Sequence, residues 1–172
     1  MNKIFHIRRD GFMRIVVISD THGSKQAVDS VFLRNSDADL FIHLGDGERD
    51  IDAFLLENPS FTSRVIHVAG NCDFGSLSND FEIIPVNGHK IFATHGHRYA
   101  VKSGLEIIKE TAKRLNCDII LYGHTHVRYN KYEDGLYIMN PGSAGNPHDG
   151  TKRSFGTVNI EQSGIVMNIA DI

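Results

Sequence analysis

Five apolar runs in this chain each break off into a short polar turn, and that recurrence limits the fold more than any other feature. The first is residues 14–19, Arg-Ile-Val-Val-Ile-Ser, followed by Asp20-Thr21-His22-Gly23. Residues 39–44 close with Gly45-Asp46-Gly47, and residues 64–69 close with Gly70-Asn71-Cys72-Asp73. Residues 89–94 run into His95-Gly96-His97, and residues 117–122 run into Gly123-His124-Thr125-His126. Continuous β-branched runs of this kind predict strands buried on both faces. The chain's 16 glycines concentrate at the strand ends, where the backbone must turn sharply.

Helical spacing fills the gaps. Ala27, Val28, Val31 and Phe32 predict a helix over 25–34, and Ile51, Phe54 and Leu55 predict another over 48–57, ended by Pro59. The order βαβαβ predicts parallel strands with right-handed crossovers. The pattern then changes to hairpins: residues 81–86 and 89–94 about Asn87-Gly88, 127–132 and 136–139 about Asp134-Gly135, and 155–160 and 165–169 about Ser163-Gly164. A helix over 104–115 carries Leu105, Ile108, Ala112 and Leu115 in register. No repeat or linker interrupts the 172 residues, so a single domain over 13–172 is expected. Residues 1–12 read as an extension with no role in a site, because Met13 is a more natural start for the first strand. The rival reading is a short edge strand over residues 3–7.

Charge excludes some functions. A net charge of −3 gives no basic stripe for nucleic acid and no polybasic membrane anchor. No apolar run approaches the roughly 18 residues of a spanning helix, and the start is too short and too charged for a signal-peptide core. Cys72 and Cys117 form no spacing pattern, which points to a reducing cytoplasm. The unusual count is ten histidines against no tryptophan, with His22, His95, His97, His124 and His126 at strand ends.

Ligands gather outside the carboxyl ends of strands in open α/β sheets. Those ends carry Asp20, His22, Asp46, Asn71, His95, His97, His124 and His126. Carboxylates, an amide oxygen and imidazoles suit Mn²⁺, Fe²⁺, Zn²⁺ or Co²⁺. One ion cannot use them all; two ions sharing a carboxylate, roughly 3.5–4 Å apart, can. Such a pair clamps a phosphoryl group and turns water into hydroxide near neutral pH. Neither a Gly-x-Ser-x-Gly elbow nor a P-loop lysine motif offers a different chemistry.

The blocks Asp20-Thr21-His22, Gly45-Asp46, Gly70-Asn71, His95-Gly96-His97 and Gly123-His124-Thr125-His126 resemble, in order, the signatures of the calcineurin-like metallophosphoesterases. The variants Gly70-Asn71-Cys72-Asp73, Thr94-His95-Gly96-His97 and Asn140-Pro141-Gly142-Ser143, with no inserted cap, are similar to the small YfcE-type phosphodiesterases. The resemblance covers about residues 13–170. It implies an α/β fold, a four-layer αββα sandwich of two mixed sheets with flanking helices. It implies one metal on Asp20, His22 and His126, a second on Asn71, His95 and His124, and Asp46 bridging both. The implied cofactor is two divalent ions, Mn²⁺ foremost, with Ni²⁺, Co²⁺, Fe²⁺ or Zn²⁺ as alternatives. The implied activity is hydrolysis of a small phosphodiester by metal-activated water. Asn71 and His97 are the candidate catalytic residues.

Cys72 departs from the many relatives that carry a histidine there to protonate the leaving group, although the YfcE-type branch shares the cysteine. That task then falls to metal-bound water or to His97, which alternates away from His95 in an extended run, or substrates are limited to good leaving groups. Cys72 itself reads as a small buried filler, and Asp73 as closing a turn or orienting a neighbour. His43 and His67 read as satisfied core histidines, and His6, His89 and His148 as surface residues. Arg49, Lys152 and Arg153 read as solvated charge rather than phosphate contacts. Phe74, Leu77 and Phe81 either build a homo-oligomer interface or pack on the core. Two alternatives stay open: a phosphomonoesterase, and a non-catalytic protein-binding scaffold such as the retromer uses.

Overall fold

The computed structural model describes residues 11–172; the edge strand considered for residues 3–7, and His6, lie outside them. The elements are β1 (Met13–Ile18), α1 (Lys25–Arg34), β2 (Leu40–His43), α2 (Glu48–Glu57) and β3 (Val65–His67). Then follow β4 (Phe81–Val86), β5 (His89–Thr94), α3 (Glu106–Arg114), β6 (Ile119–Tyr122), β7 (Arg128–Glu133), β8 (Leu136–Pro141), β9 (Ser154–Glu161) and β10 (Gly164–Asp171).

One sheet has the order β10-β9-β1-β2-β3 and the other β4-β5-β6-β8-β7. β1, β2 and β3 are parallel, as βαβαβ requires, and the β9–β10 hairpin adds to them antiparallel. The second sheet is more parallel than its hairpin signals suggest. β5, β6 and β8 run parallel at its centre, with β4 and β7 as antiparallel edges. Asn87-Gly88 and Asp134-Gly135 mark those edges, whereas α3 provides the β5-to-β6 crossover.

Alternation along the strands makes the layers. Met13, Ile15 and Val17 face the other sheet and pack with Ile91, Ala93, Ile119 and Leu121. Val16 and Ile18 face outward onto Val28, Phe32 and Phe54 of α1 and α2. On the far side Phe92, Ile120 and Tyr122 meet Ile108 and Ala112 of α3. The result is four layers: α1 and α2, two mixed sheets, α3. A 3-10 helix over Pro59–Arg64 was not anticipated, since Pro59 reads only as a terminator. It delivers Phe61 against Phe41 and Phe54, with ring centroids 5.4 and 5.1 Å apart. Phe54 is fully buried, so truncating it to alanine costs about 3–5 kcal/mol.

Candidate metal centre

β1, β2 and β3 from one sheet and β5 and β6 from the other deliver their following turns to one edge of the sandwich. Backbone bonds stitch the turns together. The Asp20 and His22 N–H groups donate to Gly45 and Asp46 carbonyls at 3.1 and 3.0 Å, and the Gly123 N–H donates to the His95 carbonyl at 3.1 Å. At Gly70 any β-carbon would overlap the Asp46 carboxylate and amide, so only glycine lets these turns approach. Five of the expected ligands sit in the left-handed region: Asp20 (φ 54°), His22 (46°), Asp46 (58°), His124 (69°) and His126 (58°). Aspartate tolerates this region better than most residues; histidine at three such positions is backbone strain gathered at one place.

Each carboxylate has one oxygen fixed and one turned inward. Asp20 Oδ2 accepts from the Ser19 hydroxyl at 2.6 Å and the His124 N–H at 3.1 Å. Its Oδ1 is buried and accepts no hydrogen bond, although His126 Nε2 lies 3.1 Å away. Asp46 Oδ1 accepts the Cys72 N–H at 2.7 Å, while Oδ2 lies 3.7 Å from His22 Nε2 and 3.4 Å from His95 Nε2.

The histidines are aimed from behind. His95 Nδ1 donates to the Leu44 carbonyl at 2.7 Å and His126 Nδ1 to the Asn146 carbonyl at 2.6 Å. A neutral ring that donates through Nδ1 keeps a lone pair on Nε2. That lone pair faces other acceptors: His95 Nε2 is 3.2 Å from Asn71 Oδ1, and His126 Nε2 is 3.2 Å from His22 Nε2. Such a crowd of acceptors is stable only around a cation or protons, and nitrogen and oxygen donors together fit a borderline divalent ion. The basicities follow the same pull. Burial pushes the Asp46 carboxyl up, but the nearby His95 ring and the Cys72 N–H bond outweigh this and hold it below the usual carboxylate range. The adjacent Asp20 carboxylate raises His126, and the Asp46 and Asp20 carboxylates raise His95 against its burial. His124 falls to about 4, through burial and the neighbouring His95 and Lys102.

Three groups bring ligand atoms within 4.8 Å of one another: Asp20/His22/His126, Asp20/Asp46/His95 and His22/Asp46/Cys72. His124 belongs to none of these; its ring stands T-shaped to His95 at 5.0 Å. His97 does not alternate away. It opens a 3-10 helix, His97–Tyr99, after left-handed Gly96, and its ring comes within 5.4 Å of the His95 ring. Its buried Nδ1 has no hydrogen-bond partner. The reading of Cys72 as buried filler fails: the residue is exposed and lines the rim of the cluster, its N–H donating to Asp46 and its sulfur within 4.8 Å of His22 and Asp46 ligand atoms. Partial desolvation and the Asp46 carboxylate push its thiol up to about 11, so it is a neutral thiol at pH 7.

Supporting residues surround the ligands. Asp73 accepts the N–H groups of Asp46, Gly47, Glu48 and Gly70 at 2.8–2.9 Å, capping α2 and fixing two turns at once. Buried Asp50 accepts from the Thr21 hydroxyl at 2.6 Å and the Gly23 N–H at 2.9 Å. His43 is fully buried, with Nδ1 accepting from the Gly45 N–H at 3.2 Å and Nε2 3.3 Å from the Thr21 hydroxyl. His67 lies 3.1 Å from His43 and 3.6 Å from Asp73. The Asn140–Ser143 loop, which the sequence marks but gives no task, ties the histidine turn to the first turn. Asn140 Nδ2 donates to the Gly123 carbonyl at 2.9 Å and the Ser143 hydroxyl to the Asp20 carbonyl at 2.8 Å. His148 is exposed, as expected, yet it stacks on His126 at 4.2 Å.

Two clefts open from the cluster and share His22. One, of about 320 Å³, is lined by His22, Asp46, Arg49, Cys72 and Phe74. The other, of about 650 Å³, is lined by His22, Lys25, Gln26, Asn146 and Arg153. Arg49 and Arg153 therefore flank the centre rather than lying apart from it.

Comparisons with known proteins identify the family and the fold. The chain is 29% identical over 160 residues to the probable metallophosphoesterase YsnB of Bacillus subtilis, covering 92% of this chain and 91% of that one. It is 25% identical over 175 residues to phosphodiesterase YfcE of Escherichia coli K12, covering 90% and 91%. A crystal structure of a predicted phosphoesterase from Streptococcus pneumoniae superposes with a TM-score of 0.82 at 28% identity, covering 93% of this chain and 90% of that one. Vacuolar protein sorting 29 of Cryptosporidium parvum shares the fold at 20% identity, with a TM-score of 0.75 and coverage of 95% and 93%. The calcineurin-like phosphoesterase superfamily domain matches residues 13–163, and the chain belongs to that family.

Proposed function

We propose that the chain is a dinuclear metal-dependent phosphodiesterase. Asp20, His22 and His126 hold one divalent ion, Asn71, His95 and His124 hold the other, and Asp46 lies between. When bound, the ions offset the charge of a phosphoryl group and acidify water. The chain's residues do the rest. Leu44 and Asn146 carbonyls keep His95 and His126 donating through Nδ1, so each presents Nε2 inward. Asn71 brings a neutral amide within 3.2 Å of His95, and His97 offers its ring beside His95 and His124 for contact with a phosphoryl oxygen.

The observation that carries the metal reading is the buried, unsatisfied Asp20 Oδ1 facing His126. The two clefts meeting at His22 favour a diester over a monoester. A diester places two substituents on phosphorus, and each needs room. Mn²⁺ is the first metal to try. The test is hydrolysis of paired chromogenic substrates, bis(p-nitrophenyl) phosphate and p-nitrophenyl phosphate, with Mn²⁺, Ni²⁺, Co²⁺, Fe²⁺ or Zn²⁺ added. Preference for the diester is expected. Preference for the monoester would make this a phosphomonoesterase, and no turnover with any metal would leave a scaffold of the same fold.

A further inference from the structure

Phe74 stands at a wall of the smaller cleft, beside two residues of the metal cluster, and is 88% exposed. A phenylalanine on a slack loop would fold onto apolar surface; this loop is braced on both sides of the ring. Before it, Asp73 accepts four backbone N–H groups from the second and third turns. After it, Glu48 Oε1 accepts from the hydroxyls of Ser76 and Ser78 at 2.8 and 2.9 Å. The Ala69 N–H then closes the loop on the Asn79 carbonyl at 2.9 Å. Glu48 belongs to the first turn of α2, which also carries Arg49 into the cleft lining. One short stretch of helix therefore anchors the loop that presents the ring and supplies a guanidinium near it. A cleft of about 320 Å³ falls within the ordinary range for small-molecule sites.

From the exposed ring on its braced loop, the neighbouring arginine and the adjoining metal cluster we infer that this cleft is the subsite for a flat heterocycle on the phosphoester, as a nucleoside provides. The base stacks on Phe74, and Arg49 takes a polar or anionic group between the base and the scissile phosphate. Stacking tolerates different bases, since each has a π-face. The larger cleft, with Lys25, Gln26, Asn146 and Arg153, takes the second substituent. This rests on the phosphodiesterase reading and adds a substrate class to it.

The chain has no tryptophan, so Phe74→Trp places the variant's one indole, selectively excitable over tyrosine, at the cleft. With the Mn²⁺-loaded protein, thymidine 5′-monophosphate should quench its emission saturably and methyl phosphate should not. In diester hydrolysis, Phe74→Ala should raise the inhibition constant of thymidine 5′-monophosphate about ten-fold and leave that of methyl phosphate nearly unchanged. Leu77→Ala, a 99% exposed neighbour outside the cleft lining, should alter neither. Absent quenching, or equal loss of both inhibitors in Phe74→Ala, overturns the subsite. If the wild-type protein hydrolyses no diester, the phosphodiesterase reading fails by itself, and the quenching still decides whether the cleft takes a nucleotide.

Discussion

The two ends of the cluster are built on different plans. At the inner end His95 is fully buried between the sheets, pinned to the carbonyl that follows β2, with Asp46 and Asn71 in reach of its free nitrogen. At the outer end the His22 side chain is 31% exposed, and His126 is held by a loop carbonyl and stacks on exposed His148. Strand ends meeting across two sheets leave the inner end little freedom. The outer end depends on the loops that follow β1 and β8. His95 is thus held by the two sheets, whereas His22 stands at the rim.

Asp46 joins the ends, and its removal is the severest test of the contrast. Asp46→Asn should lower diester turnover about a thousand-fold and reduce bound metal at both ends, with the circular dichroism spectrum unchanged; retained turnover would show that the ends do not share it. His126→Ala and His124→Ala should separate the ends. Each should retain about one Mn²⁺ per chain, with His126→Ala emptying the Asp20/His22 end and His124→Ala the Asn71/His95 end. Metal analysis with electron paramagnetic resonance reads this, and counts that fall together would mean the ends cannot be separated. Asp73→Asn keeps only one of the two oxygens that between them accept four amides of the second and third turns, and puts a donor in place of the other. It should cost about 1–2 kcal/mol in denaturant unfolding and weaken metal binding about ten-fold or more.

The smallest effect is in pH. His95 and His126 both have raised pKa values in the metal-free protein. Their protonation therefore stabilises the fold fully below the ordinary histidine value near 6.5, and this is lost as pH rises through the raised values. Metal displaces those protons. Added Mn²⁺ should accordingly raise the melting midpoint by a few degrees more at about pH 8 than at about pH 6. An equal rise at both would show that these protons and the metal do not compete.

Much of this was legible in the sequence, for identifiable reasons. α1 and α2 occupy the expected 25–34 and 48–57, because their apolar stripes face a sheet already implied by the strands. The ligand turns could be found because uninterrupted strands such as β1 and β6 end abruptly at polar residues. Orientation within the turns was not legible. Cys72 lies exposed at the rim and His97 lies near His95 because left-handed Gly96 and the approach of Gly70 to Asp46 redirect the chain, and neither leaves a period in the sequence. The supporting residues were hidden by distance. Ser143 reaches Asp20 across 123 positions and Asp50 reaches Thr21 across 29. Phe74 and Leu77 could have packed or protruded by composition alone; bracing by Glu48 and Asp73 decides it, whereas Phe81 packs against Phe92.

The left-handed turns set heritable persistence against use. At positions 20, 22, 46, 124 and 126 an L-residue gives up about 1 kcal/mol that glycine would keep. Glycine at these five places would relieve that cost, but would also delete the carboxylates and imidazoles gathered at the cluster and the hydrogen bonds they make between turns. The side chains standing there carry a local backbone cost that the sandwich by itself does not ask for.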